Sequence, residues 1–333
     1  MDPITQGLLG ASLSQSFSNK QHLVTAGSIG LLAAMTPDLD VLIRSQTDPL
    51  LFLEAHRQFT HSLFFIPIGS FLCALVLHYL LAKKQGFSFK QSWLYAAIGF
   101  STHALLDSFT SYGTQLFWPL SNHRYAWNAV SVIDPLFTLP ILILLGLAIM
   151  KRSVLFSRIA FLWAVTYLML GVVQRDRAEA AGWELAKERQ HNPIQLEAKP
   201  SFANILVWKV VYETHNAYVV DAIRVGSSVK NYPGESITKL SLSRDFPWLV
   251  PGSQQAKDIE RFRRFSNGYL AQDPTNELRI IDVRYSMVPN QINPLWSIEL
   301  SPSATMGTHV EYAVHRDSSS ESRQLYLDML LDF

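Results

Sequence analysis

Three short stretches hold the residue types best suited to chemistry: TPDLD (36–40), HRQFTHS (56–62) and STHALLDS (101–108). Imidazole and carboxylate are the usual ligands of zinc and related divalent ions. Such an ion acidifies bound water and polarises a carbonyl or phosphoryl oxygen. His103 and Asp107 are four apart, so a helix would present both on one face. Pro37 should end a preceding helix and leave Asp38 and Asp40 in the turn beyond it, able to face one cation. Capping and solvation of the helix end is the structural alternative for that pair. His56 and His61 would diverge by about 140° on a continuous helix. They converge only if His56 precedes a helix and His61 lies in its first turn, with Thr60 as the N-cap.

The candidate ligand set is therefore Asp38, Asp40, His56, His61, His103 and Asp107. It suits one or two divalent ions, zinc first, with manganese or iron as alternatives. Arg57 could bind an anionic substrate oxygen. Asp134 is a second candidate for a catalytic role, although an aspartate just before Pro135 also complements a helix dipole. Thr60, Thr110, Tyr112, Gln115, Trp118, His123 and Arg124 are expected to line the substrate. A bundle-stabilising hydrogen bond is the alternative reading of His103 and Asp107.

Apolar stretches near 7–18, 23–36, 62–82, 93–106, 133–150 and 157–173 supply the elements to position these groups. The 62–82 run is ample for a membrane span, which needs about 20 residues. The first two runs are shorter and rich in Gly, Ala and Ser, which predicts a tight helical hairpin. If the segments alternate, the turns at 19–22, 83–92 and 151–158 share one side, with Lys20, Lys83, Lys84, Lys90, Lys151, Arg152 and Arg158. The other side carries Arg44, Arg57 and Arg124 with every acidic residue of that half. This bias predicts a multi-pass inner-membrane protein whose basic turns are cytoplasmic and whose motif side and C-terminal domain face the periplasm.

Beyond residue 173 the composition becomes that of a soluble domain. Residues 174–198 read as a charged connecting helix followed by the loop HNPIQLEAKPS. Residues 199–333 alternate beta-branched and aromatic runs with turn residues, including NILVWKVVYE, AYVVDAIRVG, LRIIDVRYSMV, LWSIEL and HVEYAVHR. An amphipathic helix in QQAKDIERFRRFSNGYL and a terminal one in ESRQLYLDMLLDF complete the pattern. The expected fold class is an all-α integral membrane bundle (1–173) followed by a soluble α+β domain with an antiparallel sheet. The net charge of +1 gives no electrostatic case for nucleic acid. The single cysteine, Cys73, excludes an intramolecular disulfide and reads as a small buried hydrophobe. MDPITQG has an acid where a signal peptide needs basic residues, so this segment is expected to be retained.

PDLD, HRQFTHS, HALLD and TSYGTQLFWP, in this order, resemble the YdjM/YfhP family of inner-membrane hydrolases inferred to be metal-dependent. The resemblance spans roughly residues 1–150. It implies a membrane-bound hydrolase with these His and Asp residues as metal ligands, distantly similar in fold to zinc phospholipase C and its nuclease relatives. Many members have a histidine after the Thr of the N-terminal motif, where this chain has Gln6. An amide oxygen is a poor zinc ligand, so the number of ions stays open at one or two. The expected partners are the lipid bilayer and a phosphorylated or lipid-linked substrate. The competing reading is a non-catalytic membrane protein whose outer α+β domain binds a partner or an envelope component.

Overall fold

Prolines mark the helix starts. Asp2 precedes Pro3 and accepts the Thr5 amide at 3.0 Å, and Asp134 precedes Pro135 and caps in the same way. The computed structural model describes residues 1–317 and 319–332 and divides into two units. The first comprises residues 1–43, 55–173 and 202–204, and the second 44–54, 174–201 and 205–333.

The helices are α1 (Pro3–Ser16), α2 (Leu23–Met35), α3 (Leu51–Ala55), α4 (Ile66–Leu77), α5 (Phe89–Ser108), α6 (Pro135–Met150) and α7 (Val154–Glu188). A π turn over His78–Ala82 continues α4. Leu63–Gln85 and Val154–Glu188 are long and apolar enough to cross a membrane, and Pro135–Met150 is a shorter apolar helix. Ile68, Leu72, Val76 and Leu80 on this stretch, and Ile143 and Leu162 on α6 and α7, point outward and are about half exposed or more.

Glycine lets the helices of the first unit touch backbone to backbone. A Cβ on Gly99 of α5 would stand 2.2 Å from the Gly30 carbonyl oxygen of α2, and one on Gly10 of α1 would stand 2.6 Å from the same oxygen. The small residues of GLLGAS and GSIGLLAA thus form a three-helix seam. Beside it, Ile29, Ala33, Cys73, Ala74, Ala96 and Phe100 form the core between α2, α4 and α5.

The second unit is antiparallel throughout. β1 (Gln195–Pro200), β2 (Val207–Glu213), β3 (Ala217–Val225) and β4 (Val229–Tyr232) pair in sequence, and β5 (Ser236–Thr238) adds to β3. After α8 (Leu242–Asp245) and α9 (Gln254–Phe265), the strands β6 (Leu270–Asp273), β7 (Asn276–Asp282), β8 (Trp296–Glu299) and β9 (Glu311–Val314) form a second sheet, and α10 (Ser320–Leu331) follows. Val211, Val220, Tyr269, Ile281 and Val283 share one core cluster, which joins β2 and β3 to β7. The segment 44–54 belongs here, with Leu50 buried beside Ile259 and Phe262 and with Arg261 holding both Asp48 and Glu54.

Three sequence expectations need correction. The sheet expected to be single is two sheets. The loop HNPIQLEAKPS contributes β1, which lies at a sheet edge where Pro200 forfeits no interior hydrogen bond. The connecting helix is not separate, because the apolar 157–173 run and the charged residues after it form one continuous helix, α7.

The seam gives a first prediction. Gly99→Ala forces its Cβ against a backbone oxygen and should cost about 1–3 kcal/mol as overpacking. Gly146→Ala, whose new Cβ would meet nothing within 4 Å among the described residues beyond its chain neighbours and its own helix backbone, should be neutral or stabilise by up to about 1 kcal/mol through helix propensity. Thermal unfolding of the detergent-solubilised protein compares the two. Equal melting temperatures would contradict the seam.

Candidate metal centre

Helix α2 ends at Met35, and Pro37 lies in the 3-10 turn Thr36–Leu42 that follows. This turn carries Asp38 and Asp40. His61 closes a second 3-10 turn, Phe59–His61, and His103 and Asp107 sit one helical turn apart on α5. One ligand atom from each of Asp38, His61, His103 and Asp107 falls within 4.8 Å of the others. Asp38, Asp40 and His56 form a second group under the same limit.

The hydrogen bonds around the rings fix how they face. His103 Nδ1 lies 2.5 Å from the Ala34 carbonyl oxygen, which only accepts, so Nδ1 carries the proton. The Thr60 hydroxyl donates to Asp40 Oδ2 at 2.6 Å, so its oxygen accepts from His61 Nδ1 at 2.9 Å. Asp40 Oδ2 is also 3.2 Å from that nitrogen. Both imidazoles therefore hold their proton on the outer nitrogen. Their inner nitrogens face one another, His61 Nε2 to His103 Nε2, at 2.8 Å. Asp38 Oδ1 is 3.6 and 3.4 Å from those two nitrogens, and Asp107 Oδ2 is 3.4 Å from His61 Nε2. Two lone pairs and two carboxylate oxygens converging in a buried space require a cation among them.

A divalent ion meets that requirement with the ligand types it prefers, so the residues present fit a metal. A proton on His61 is the other cation available. Burial opposes it, but Asp107, Asp38 and Asp40 outweigh burial and push the His61 pKa up to about 10. Burial likewise raises Asp38 and Asp40, but the imidazoles of His103 and His61 beside the first, and of His56 and His61 beside the second, hold both well below the usual carboxylate range.

The remaining candidates divide between fixing the cluster and lying apart from it. Asp40 spends Oδ1 on His56 Nδ1 at 2.6 Å and Oδ2 on the Arg57 amide, Thr60 and His61. Arg57 adopts a left-handed backbone with φ 63°. Its buried guanidinium lies 3.0 Å from Asp107 Oδ2, donates to Thr110 Oγ1 at 3.0 Å and stacks over the Tyr112 ring at 5.3 Å. The Gln115 backbone N–H donates to the Arg57 carbonyl at 3.0 Å, and Arg124 donates to the His56 carbonyl at 3.3 Å. The Trp118 carbonyl accepts from Ser62, which ties the 110–124 loop to the second 3-10 turn. His123 is exposed and stacks edge-on against Tyr125 at 4.6 Å.

Sequence reasoning erred on Thr60 and left two roles open for Asp134. Thr60 does not cap a helix, because its hydroxyl is taken by Asp40. The 3-10 turns run on through Ser62, which accepts the Phe64 amide at 3.2 Å, and α4 starts only at Ile66. Asp134, expected to act in catalysis, caps α6 through the Leu136 and Phe137 amides and accepts the Tyr167 hydroxyl at 2.9 Å. None of its hydrogen bonds among the described residues reaches the cluster.

Three contributors were not anticipated. The Ala34 carbonyl could have been suspected only from the small-residue run that lets α2 approach α5. Gln6, noted in the sequence as a missing ligand, donates its amide nitrogen to Asp107 Oδ1 at 2.8 Å, and its own buried oxygen has no hydrogen-bond partner among the described residues. The Met1 amino group also pairs with Asp107 Oδ1.

Asp107 therefore neutralises Arg57 in a buried setting. Asp107→Ala should cost about 3–5 kcal/mol, because it strands that guanidinium. Denaturation in excess chelator isolates the ion pair from any bound metal, and a loss below about 1 kcal/mol, the surface-pair range, would contradict it.

The family model described as YdjM inner membrane protein matches residues 1–178. Over 260 residues the chain is 21% identical to the uncharacterized protein YfhP of Bacillus subtilis (strain 168), covering 77% of this chain and 76% of that one. Over 153 residues it is 27% identical to the inner membrane protein YbcI of Escherichia coli (strain K12), covering 43% of this chain and 80% of that one. No solved structure matches. The matched span contains the whole His/Asp cluster and more than half of the sequence, and the chain belongs to the YdjM inner membrane protein family.

Proposed function

We propose that the protein is a membrane-bound, metal-dependent hydrolase acting on a phosphoester or lipid-linked substrate. The observation that carries this reading is the approach of His61 Nε2 to His103 Nε2, with both outer nitrogens already committed as donors. Asp38, His61, His103 and Asp107 would hold one ion. A second would draw on Asp38, Asp40 and His56. Zinc suits the donor set best, and manganese or iron are the alternatives. The ion would supply Lewis acidity and an acidified water to the substrate.

The chain's own residues do the rest. Asp40 and Thr60 fix the His61 tautomer, and Ala34 fixes that of His103. Arg57 holds Asp107 in place from the side. The Asp38 side chain is 18% exposed while those of His61, His103 and Asp107 are fully buried, so substrate reaches the cluster past Asp38. The 110–124 loop carries Thr110, Tyr112, Gln115, Trp118, His123 and Arg124, several of them tied to Arg57 and His56, and shapes the approach.

In this reading the bundle is multi-pass, with α4, α6 and α7 in the inner membrane. Their outward apolar side chains support it, as does the name of the family. The basic turns after α1, α4 and α6 lie in the cytoplasm, and the cluster faces the periplasm together with the second unit.

The test is metal analysis of the purified full-length protein. The wild type should carry at least one divalent ion per chain. His61→Ala and His103→Ala should lose it, Asp40→Asn should weaken it by roughly 10–100-fold as an outer partner does, and His123→Ala should leave it unchanged. Zinc-loaded wild type should hydrolyse members of a phosphoester panel, and His103→Ala should not. Wild type that holds no divalent ion, and gains none from zinc or manganese, would sink the proposal.

One observation favours the non-catalytic alternative. A cavity of about 470 Å³ in the second unit is lined by Glu235, Asp273, Arg279 and His315, polar enough to bind a ligand of its own. That alternative requires His61→Ala to keep full cellular activity while deletion of 199–333 abolishes it.

A further inference from the structure

An apolar groove of about 530 Å³ starts at the candidate centre and runs along α4. Leu32 of α2, Leu39 of the first 3-10 turn and Ile43 just after it, Leu72 and Val76 of α4, and Phe100 of α5 form its walls. Asp40 and Thr60 line one end, the same two groups that orient His61. Leu39, Leu72 and Val76 are 60%, 53% and 56% exposed, so the groove opens sideways rather than closing over a core. It opens from Leu63–Gln85, a stretch apolar enough to sit in lipid.

Polarity and setting decide what fits. A hydrocarbon chain needs no hydrogen-bonding partner along apolar walls, and the groove opens from a stretch that suits lipid. The polar end is continuous with the ligand set, so the occupant has an apolar tail and a polar head.

We propose that the groove binds one acyl chain of a lipid ester and that this lipid is the substrate of the centre. The head would reach Asp38 while the tail lies between α2 and α4. The proposal rests on the hydrolase reading and narrows it to a lipid phosphoester. It also explains why the cluster sits beside an apolar helix: an acyl chain can slide in from the bilayer without crossing water.

The full-length protein in phosphatidylcholine nanodiscs, with a phosphatidic acid bearing a diazirine at the end of one acyl chain as a minor component, tests this. Photolabelling should concentrate on peptides covering 32–43 and 69–77. Val76→Trp or Leu72→Trp fills the groove at an outward position with little risk to folding. Either should cut this labelling roughly ten-fold, the loss expected for displacing two methylenes or so from burial, while the bound metal stays at wild-type level. Label spread evenly over the outward faces of α4, α6 and α7 would mean bulk lipid only and would overturn the proposal, as would undiminished labelling of both variants. Groove labelling in a protein that binds no divalent ion would overturn the hydrolase reading and with it the lipid's role as substrate.

Discussion

Two imidazole nitrogens that both present lone pairs repel, and in a buried site nothing but a cation between or upon them removes the repulsion. His61 and His103 are held in that arrangement, their inner nitrogens 2.8 Å apart and their outer nitrogens tied to acceptors. Asp38 and Asp107 add negative charge to the same space. The surrounding scaffold keeps this costly geometry in place, and much of the first unit reads as the means to that end.

The scaffold acts from two sides. On one, the seam of Gly10, Gly30 and Gly99 brings α2 onto α5 closely enough for the Ala34 carbonyl to meet His103. On the other, Asp40 gathers His56, the Arg57 amide, Thr60 and His61, which turns a flexible stretch into a fixed junction. The left-handed backbone at Arg57 costs of order 1–3 kcal/mol for a residue that is not glycine. Its contacts with Asp107, Thr110 and Tyr112 offset that cost and keep the bend between His56 and His61 from relaxing.

Much of this was legible in the sequence, and the remainder has physical reasons. The apolar runs at 62–82 and 133–150 announced helices because nothing else is apolar for so long, and PDLD, HRQFTHS and HALLD announced ligands by residue type. Direction was not legible. Whether Asp40 faces an ion or His61 depends on a turn geometry that residue type does not encode, and Thr60 was read as a helix cap because the competing acceptor lies twenty residues away in sequence. Asp134 had two readings from the outset, and the capping one agrees with its hydrogen bonds. In the second unit the hidden elements were short or at sheet edges. β1 carries a proline, β4 and β5 are brief, and the division into two sheets rests on strand partners that local pattern cannot reveal.

The cluster, its acceptors and the groove beside α4 form one connected set, in which His61 is the shared member: Asp40 and Thr60 orient it and also line the groove. The central claim is that His61 and His103 bind one ion together. X-ray absorption at the zinc edge of the zinc-loaded protein tests it most directly. The account predicts two imidazole nitrogens at about 2.0–2.1 Å with carboxylate oxygens completing the shell, and no such zinc site in His103→Ala treated in the same way. A spectrum with no imidazole scattering, or one that His103→Ala leaves unchanged, would contradict it.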